Sequence, residues 1–131
     1  MNQVPLFKES GGSLGVIEFA GIPFTPQRFF WIFDACQAEV RADHAHRTCH
    51  QYLFCQSGRI RARLTTGSDS SSTHDLVPGN ALHISPLTWL ELFDFSDDAV
   101  LGVLASEPYR ASEYILDRAE LADLWQLAPQ T

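Results

Sequence analysis

At 131 residues the chain is long enough to bury one apolar core without metal or disulfide staples, and one domain over 1–131 is expected. A formal charge of −7, with nine Lys and Arg residues in all, argues against a nucleic-acid groove but leaves room for a phosphorylated small molecule. Cys36, Cys49 and Cys55 are odd in number and lack CxxC spacing, no run approaches the roughly 20 apolar residues of a membrane span, and Met1–Ser10 lacks the pattern of a signal peptide, so a reduced, cytoplasmic protein away from the membrane is expected.

Residues 1–12 read as a lead. Ser13–Phe19 lies between Gly11-Gly12 and Gly21, and predicts an opening strand bounded by turns. Arg28–Phe33 is dense in aromatics and has no helix cap, which predicts a strand buried on both faces. Val40–His46 and His50–Gln56 form a predicted hairpin, and Ser57-Gly58 turns the chain into Arg59–Thr65. In that last strand Arg59, Arg61 and Arg63 share a face opposite Ile60, Ala62 and Leu64. Gly67–Thr73 is polar and of low complexity, and predicts a mobile loop. Strands follow at His74–Val77, Ala81–Ile84, Trp89–Phe93 and Val100–Ala105. About ten short strands closing at 106 indicate an all-β sandwich or jelly-roll barrel over 13–106. Within the tail, 107–131, the spacing of Tyr114, Ile115, Leu121, Leu124 and Trp125 predicts short helices over Ser112–Leu116 and Arg118–Trp125.

Chemistry concentrates in Asp43-His44-Ala45-His46-Arg47-Thr48-Cys49-His50-Gln51, because histidines at i and i+2 of a strand point to one face. His44, His46, Gln51 and Gly58 follow the spacing of the first cupin motif, H-x-H-(x)3-4-E-(x)6-G, with Gln in place of Glu. In the second motif, P-x-G-x-x-H, the matching run Pro86-Leu87-Thr88-Trp89-Leu90-Glu91 puts Glu91 at the histidine position. A metal would then be held by His44, His46, Gln51 and Glu91, a set suited to iron or manganese but weakened by the neutral amide. Without metal, paired imidazoles with an ordinary pKa near 6.5 suit proton transfer beside a carbonyl. One would remove a carbon-bound proton to give an enediol, and the other would relay a proton between oxygens or return one to carbon. Glu91 either fixes a histidine tautomer or bonds to backbone.

The runs Gln27–Asp34, Arg41–Arg47 and His50–Leu53, then Pro86–Glu91, Asp94–Leu101, Val103–Glu107 and Tyr114-Ile115, resemble the WxcM-like cupins, sugar-nucleotide 3,4-ketoisomerases of surface-polysaccharide synthesis. The resemblance spans about 13–125. It implies a cupin double-stranded β-helix with short C-terminal helices, in which His44 and His46 move protons on a dTDP-4-keto-6-deoxyhexose and shift the ketone from C4 to C3. It also implies no metal or other cofactor, and a homodimer that exchanges N-terminal strands, here Ser13–Phe19. Arg41 and Arg28 match family arginines that would contact sugar or diphosphate. Gln51, Glu91 and Trp31 would complete the substrate-binding wall.

The chain departs from the family pattern where tyrosines usually stand: Phe30, Trp31 and Phe33 lack the hydroxyl. Gly11-Gly12 stands where Arg-Gly is common, and Leu90 replaces a polar or basic residue that could bear on the face of reprotonation at C4. A non-catalytic sugar-nucleotide binder and a metal-dependent cupin oxygenase are the competing expectations.

Overall fold

The computed structural model describes residues 1–67 and 70–127. Among them the chain forms β1 (Asn2–Gln3), β2 (Leu6–Glu9), β3 (Gly12–Gly15), β4 (Arg28–Phe33), β5 (Arg41–His46), β6 (Gln51–Ser57) and β7 (Ile60–Thr66). It continues through β8 (Ser70–Leu76), β9 (Asn80–Ile84), β10 (Trp89–Phe93), β11 (Val100–Ala105), β12 (Tyr114–Ile115) and one helix, α1 (Arg118–Leu127). Two antiparallel five-stranded sheets carry the architecture, in the orders β1-β9-β6-β11-β4 and β12-β5-β10-β7-β8. Alternate residues of each meet between them. Leu53, Cys55, Leu82, Ile84, Leu101 and Val103 come from the first sheet, and Ile60, Ala62, Leu76, Leu90 and Leu92 from the second. This is the jelly roll expected of the alternating short strands, as the resemblance also implies.

Gly58 makes the turn that joins β6 to β7. Its φ is +74°, and a Cβ there would sit 2.3 Å from the Ser96 Oγ and 2.8 Å from the Ala99 Cα, so only glycine fits. Arg59, Arg61 and Arg63 share the outer face as expected, and each pairs with a carboxylate: Asp75, Asp75 with Asp94, and Glu91 respectively.

Five expectations are corrected, the first being the predicted hairpin: β5 and β6 do not pair but lie in different sheets, so the turn between them crosses the sandwich. The opening strand is not Ser13–Phe19 but Gly12–Gly15, paired with β2 in a hairpin, and the lead over 1–12 is itself largely strand. A 3₁₀ turn takes Phe19–Gly21 instead. β4 is an edge strand bonded only to β11, and its outward-facing side chains are uncovered rather than buried. Phe29, Trp31 and Phe33 are 47%, 55% and 56% exposed, whereas Phe30 and Ile32 pack on the core. Ser70–Thr73, read as loop, extends β8, because pairing with β7 satisfies its backbone; residues 68 and 69 lie outside the described residues. Finally, Ser112–Leu116 is not helical. A 3₁₀ turn over Ala111–Glu113 leads into β12, which adds an edge to β5. The helix expected at Arg118–Trp125 is present as α1, and residues 128–131 lie outside the described residues.

Candidate active site

A cavity of about 260 Å³ opens at one end of the sandwich, lined by residues including Phe30, Arg41, His44, Gln51, Leu90 and Tyr114. β5 supplies its histidines through an irregular approach. Ala42 and Asp43 both adopt left-handed backbone, with φ of +66° and +56°, at a register shift opposite Leu90 and Glu91. Neither is glycine, so the local conformation is strained and needs support from its surroundings. The Asp43 carboxylate supplies some by accepting the Trp89 indole N–H at 3.1 Å.

The bulge turns the Ala42 carbonyl back toward the His44 Nδ1, 2.8 Å away. A carbonyl only accepts, so Nδ1 carries the proton and Nε2 is left as the basic nitrogen. Burial lowers the His44 pKa below its usual value, opposed by the Ala42 bond and by the charge of Asp43. The imidazole is therefore neutral at pH 7.

His46 lies deeper, 4% exposed, and neither ring nitrogen has a partner among the described residues. Burial pushes its pKa down to about 4, helped by His44 and Arg28 and opposed by Glu113. The two imidazoles sit edge to face, with centroids 5.0 Å apart. Tyr114 holds both: its ring lies parallel to His44 at 4.9 Å and edge-on to His46 at 4.7 Å.

The Tyr114 position is set by the tail. β12 pairs Tyr114 with His46 and Ile115 with Ala45, while Ile115 is fully buried against Trp89 and Leu121. Next to it, the buried Glu113 carboxylate accepts the backbone N–H groups of Thr48 and Cys49 in the turn after His46. Burial alone would raise the Glu113 pKa, but these bonds outweigh it and hold the carboxyl below its usual range. The 3₁₀ turn, the histidine turn and β12 thus form one hydrogen-bonded unit.

The other expected site residues divide. Gln51, 4% exposed, and Arg41 line the cavity with His44. Arg28 does not line the cavity; it lies close enough to His46 to act on its charge, its guanidinium over the rings of Phe30 and Tyr109 and its Nε buried without a partner among the described residues. Trp31 borders the cavity, but strand alternation sends its indole to the outer face, where it stacks on Phe29. Glu91 does not join the histidines. It stands between Leu90 and Leu92, which face inward, and so points outward to Arg63 and Arg118. The donor set His44, His46, Gln51 and Glu91 is therefore not assembled. Among the described residues, no three His, Cys, Asp or Glu side chains gather as a metal site.

Tyr114 and Glu113 were not singled out from sequence. The spacing of Tyr114 and Ile115 with Leu121, Leu124 and Trp125 suggested helices, and only the strand-forming pair Tyr114-Ile115 hinted at the edge strand that forms.

Comparison with known proteins identifies the family and the fold. The family model "FdtA: WxcM-like, C-terminal" matches residues 1–126. A TDP-4-oxo-6-deoxy-α-D-glucose-3,4-oxoisomerase of Aneurinibacillus thermoaerophilus is 39% identical over 118 residues, 87% of this chain and 85% of that one. Among solved structures, the 3,4-ketoisomerase QdtA of Thermoanaerobacterium thermosaccharolyticum, in complex with TDP, superposes with a TM-score of 0.90 at 33% identity, over 96% of this chain and 93% of that one. A histidine-to-asparagine variant of QdtA has been solved with TDP-4-keto-6-deoxyglucose. The TDP-quinovose 3,4-ketoisomerase WlaRB of Campylobacter jejuni gives a TM-score of 0.83 at 31% identity, over 92% of this chain and 93% of that one. The chain belongs to the WxcM-like family of sugar 3,4-ketoisomerases, and is an isomerase built on a cupin barrel.

Proposed function

We propose that the protein moves the ketone of a dTDP-linked 4-keto-6-deoxyhexose from C4 to C3, with His44 as the carbon base. The observation that carries this reading is the Ala42–His44 hydrogen bond, which leaves Nε2 basic in a side chain that lines the cavity. His44 takes the proton from C3 as the enediol forms, then gives a proton to C4 as the ketone appears at C3. His46, held neutral beside it, keeps a second positive charge away from the imidazolium formed during turnover. Arg41 suits the diphosphate, since a guanidinium offers paired donors to phosphate oxygens. Gln51 suits a hydroxyl group of the sugar, whereas Arg28, expected to contact substrate, does not line this cavity. The site needs no cofactor in this scheme.

The same reading includes a homodimer formed by exchange of N-terminal strands. A lone two-stranded hairpin is marginal in water, and β2–β3 exposes Leu6, Phe7 and Leu14. Pairing with a second copy would bury them beside the open aromatic face of β4. Among the described residues no helix is long and apolar enough to cross a membrane, which is compatible with the expected cytoplasmic site of action.

The test is incubation with TDP-4-keto-6-deoxyglucose in heavy water, followed by NMR. Deuterium at C3 or C4 and a 3-keto product are expected. Incorporation at the uncatalysed rate would favour the non-catalytic binder, a reading supported by Phe30, which lines the cavity with no hydroxyl.

A further inference from the structure

Moving a ketone from C4 to C3 requires two transfers. One proton travels between carbons and another between oxygens, from O3 to O4. His44 accounts for the first. The second needs a group on the cavity wall that both gives and takes a proton.

The polar side chains facing the cavity are those of Arg41, His44, Gln51 and Tyr114, since the Trp31 indole lies on the outer face. A guanidinium does not give up its proton in proteins, and a carboxamide is not an acid–base group at neutral pH. His46 is not among the lining residues; it is packed behind His44 and Tyr114. Tyr114 is the hydroxyl among the lining residues. Its ring lies parallel to the carbon base at 4.9 Å, and its phenol makes no hydrogen bond among the described residues. Paired with β5 and followed by the buried Ile115, it is fixed against the histidines from the other side of the chain.

We propose that Tyr114 is a catalytic residue of the isomerisation, its phenol carrying a proton from O3 to O4 while His44 carries one from C3 to C4. This rests on the ketoisomerase reading of the pocket. As the C3–H bond breaks toward the His44 Nε2 and the C3–C4 double bond forms, the phenol O–H protonates O4. The resulting phenolate then takes the O3 proton as the C3 carbonyl forms, and the imidazolium returns its proton to C4. Both groups end as they began. The phenol thereby supplies from the tail the hydroxyl that Phe30 does not supply from β4.

The experiment compares Tyr114→Phe with the wild type on TDP-4-keto-6-deoxyglucose in heavy water, with titration by TDP and a thermal melt as controls. The substitution keeps the stacked ring and removes one oxygen. Isomerisation is expected to fall by roughly 10²–10⁴-fold, with TDP affinity and melting midpoint unchanged. Deuterium uptake at C3 should rise relative to product, because His44 still forms an enediolate that reverts. Turnover of Tyr114→Phe within about threefold of wild type would overturn the proposal, as would a loss of turnover matched by weaker TDP binding. A wild type that neither exchanges nor isomerises would instead sink the underlying assignment of function, so the two failures are distinct.

Discussion

The protein contains two pairs of adjacent histidines, and they differ in what their nitrogens face. His44 and His46 meet edge to face inside the sandwich, with no hydrogen bond between them. His50 and His83 lie on the outer face of the first sheet. Their nitrogens are 3.0 Å apart, with ring planes within 8° and centroids 5.2 Å apart, which is an in-plane N–H···N bond between rings set end to end. Phe24 packs against both rings. The outer pair shares one hydrogen bond, between the His50 Nδ1 and the His83 Nε2, which ties the residue before β6 to β9. In the inner pair both His46 nitrogens are buried with no partner among the described residues, and His44 lines a cavity. Proximity of histidines is thus no mark of chemistry; a free nitrogen at a pocket wall is.

The largest effect separating the pairs is on turnover. His44→Asn is expected to lower isomerisation by roughly 10²–10⁴-fold with the fold intact, while His83→Gln stays within about threefold, measured side by side on one substrate. Equal losses in both variants would erase the distinction.

A second contrast is in the pH dependence of stability. The unfolded chain takes up a proton at His46 near pH 6.5, whereas the folded chain does so only near pH 4. Stability from this group is therefore complete above pH 6.5 and drains away as pH falls toward 4, by about 3 kcal/mol at most. Denaturant titrations of His46→Phe should show a flatter slope across that window. The His83 pKa is also lowered, by burial and then by His50, so its replacement should flatten the same window less.

Glu113→Ala removes the acceptor of two backbone N–H groups beside the inner pair. A loss of about 1–3 kcal/mol is expected from those orphaned donors, read by thermal melting, together with reduced turnover because β12 no longer holds Tyr114 in place. The smallest effect should come from Ser106→Ala, which removes a hydroxyl that accepts the His50 N–H at 2.8 Å and donates to the Cys49 Sγ at 3.7 Å. About 1 kcal/mol of stability or less should go, with turnover kept.

Much of this was legible in the chain. β4, β10 and β11 begin and end where alternation and turn residues put them, because each is a short apolar run cut by Gly, Pro or Asp. Parity put His44 and His46 on one face, and the spacing of the first cupin motif together with the family resemblance pointed to Gln51, which lines the cavity. Glu91 was not, because the motif aligned it with a ligand position while parity within β10 places it with Arg63 and Arg118. The bulge was not legible because Ala42 gives no sign of a left-handed backbone, although Asp43 adopts one more readily than most non-glycine residues. Tyr114 was hidden for a different reason. Its strand is two residues long and exists only because β5 offers an edge and Glu113 a clasp, both of which are tertiary facts.

The clasp between Glu113 and the turn after His46 links positions 65 residues apart. During synthesis on the ribosome, both sheets have nearly all their strands before residue 113 has emerged, yet the histidine turn still lacks its anchor. Competence for chemistry should consequently arrive late, after most of the barrel has been translated. A nascent chain halted short of that glutamate would carry a nearly finished scaffold around an unfinished centre.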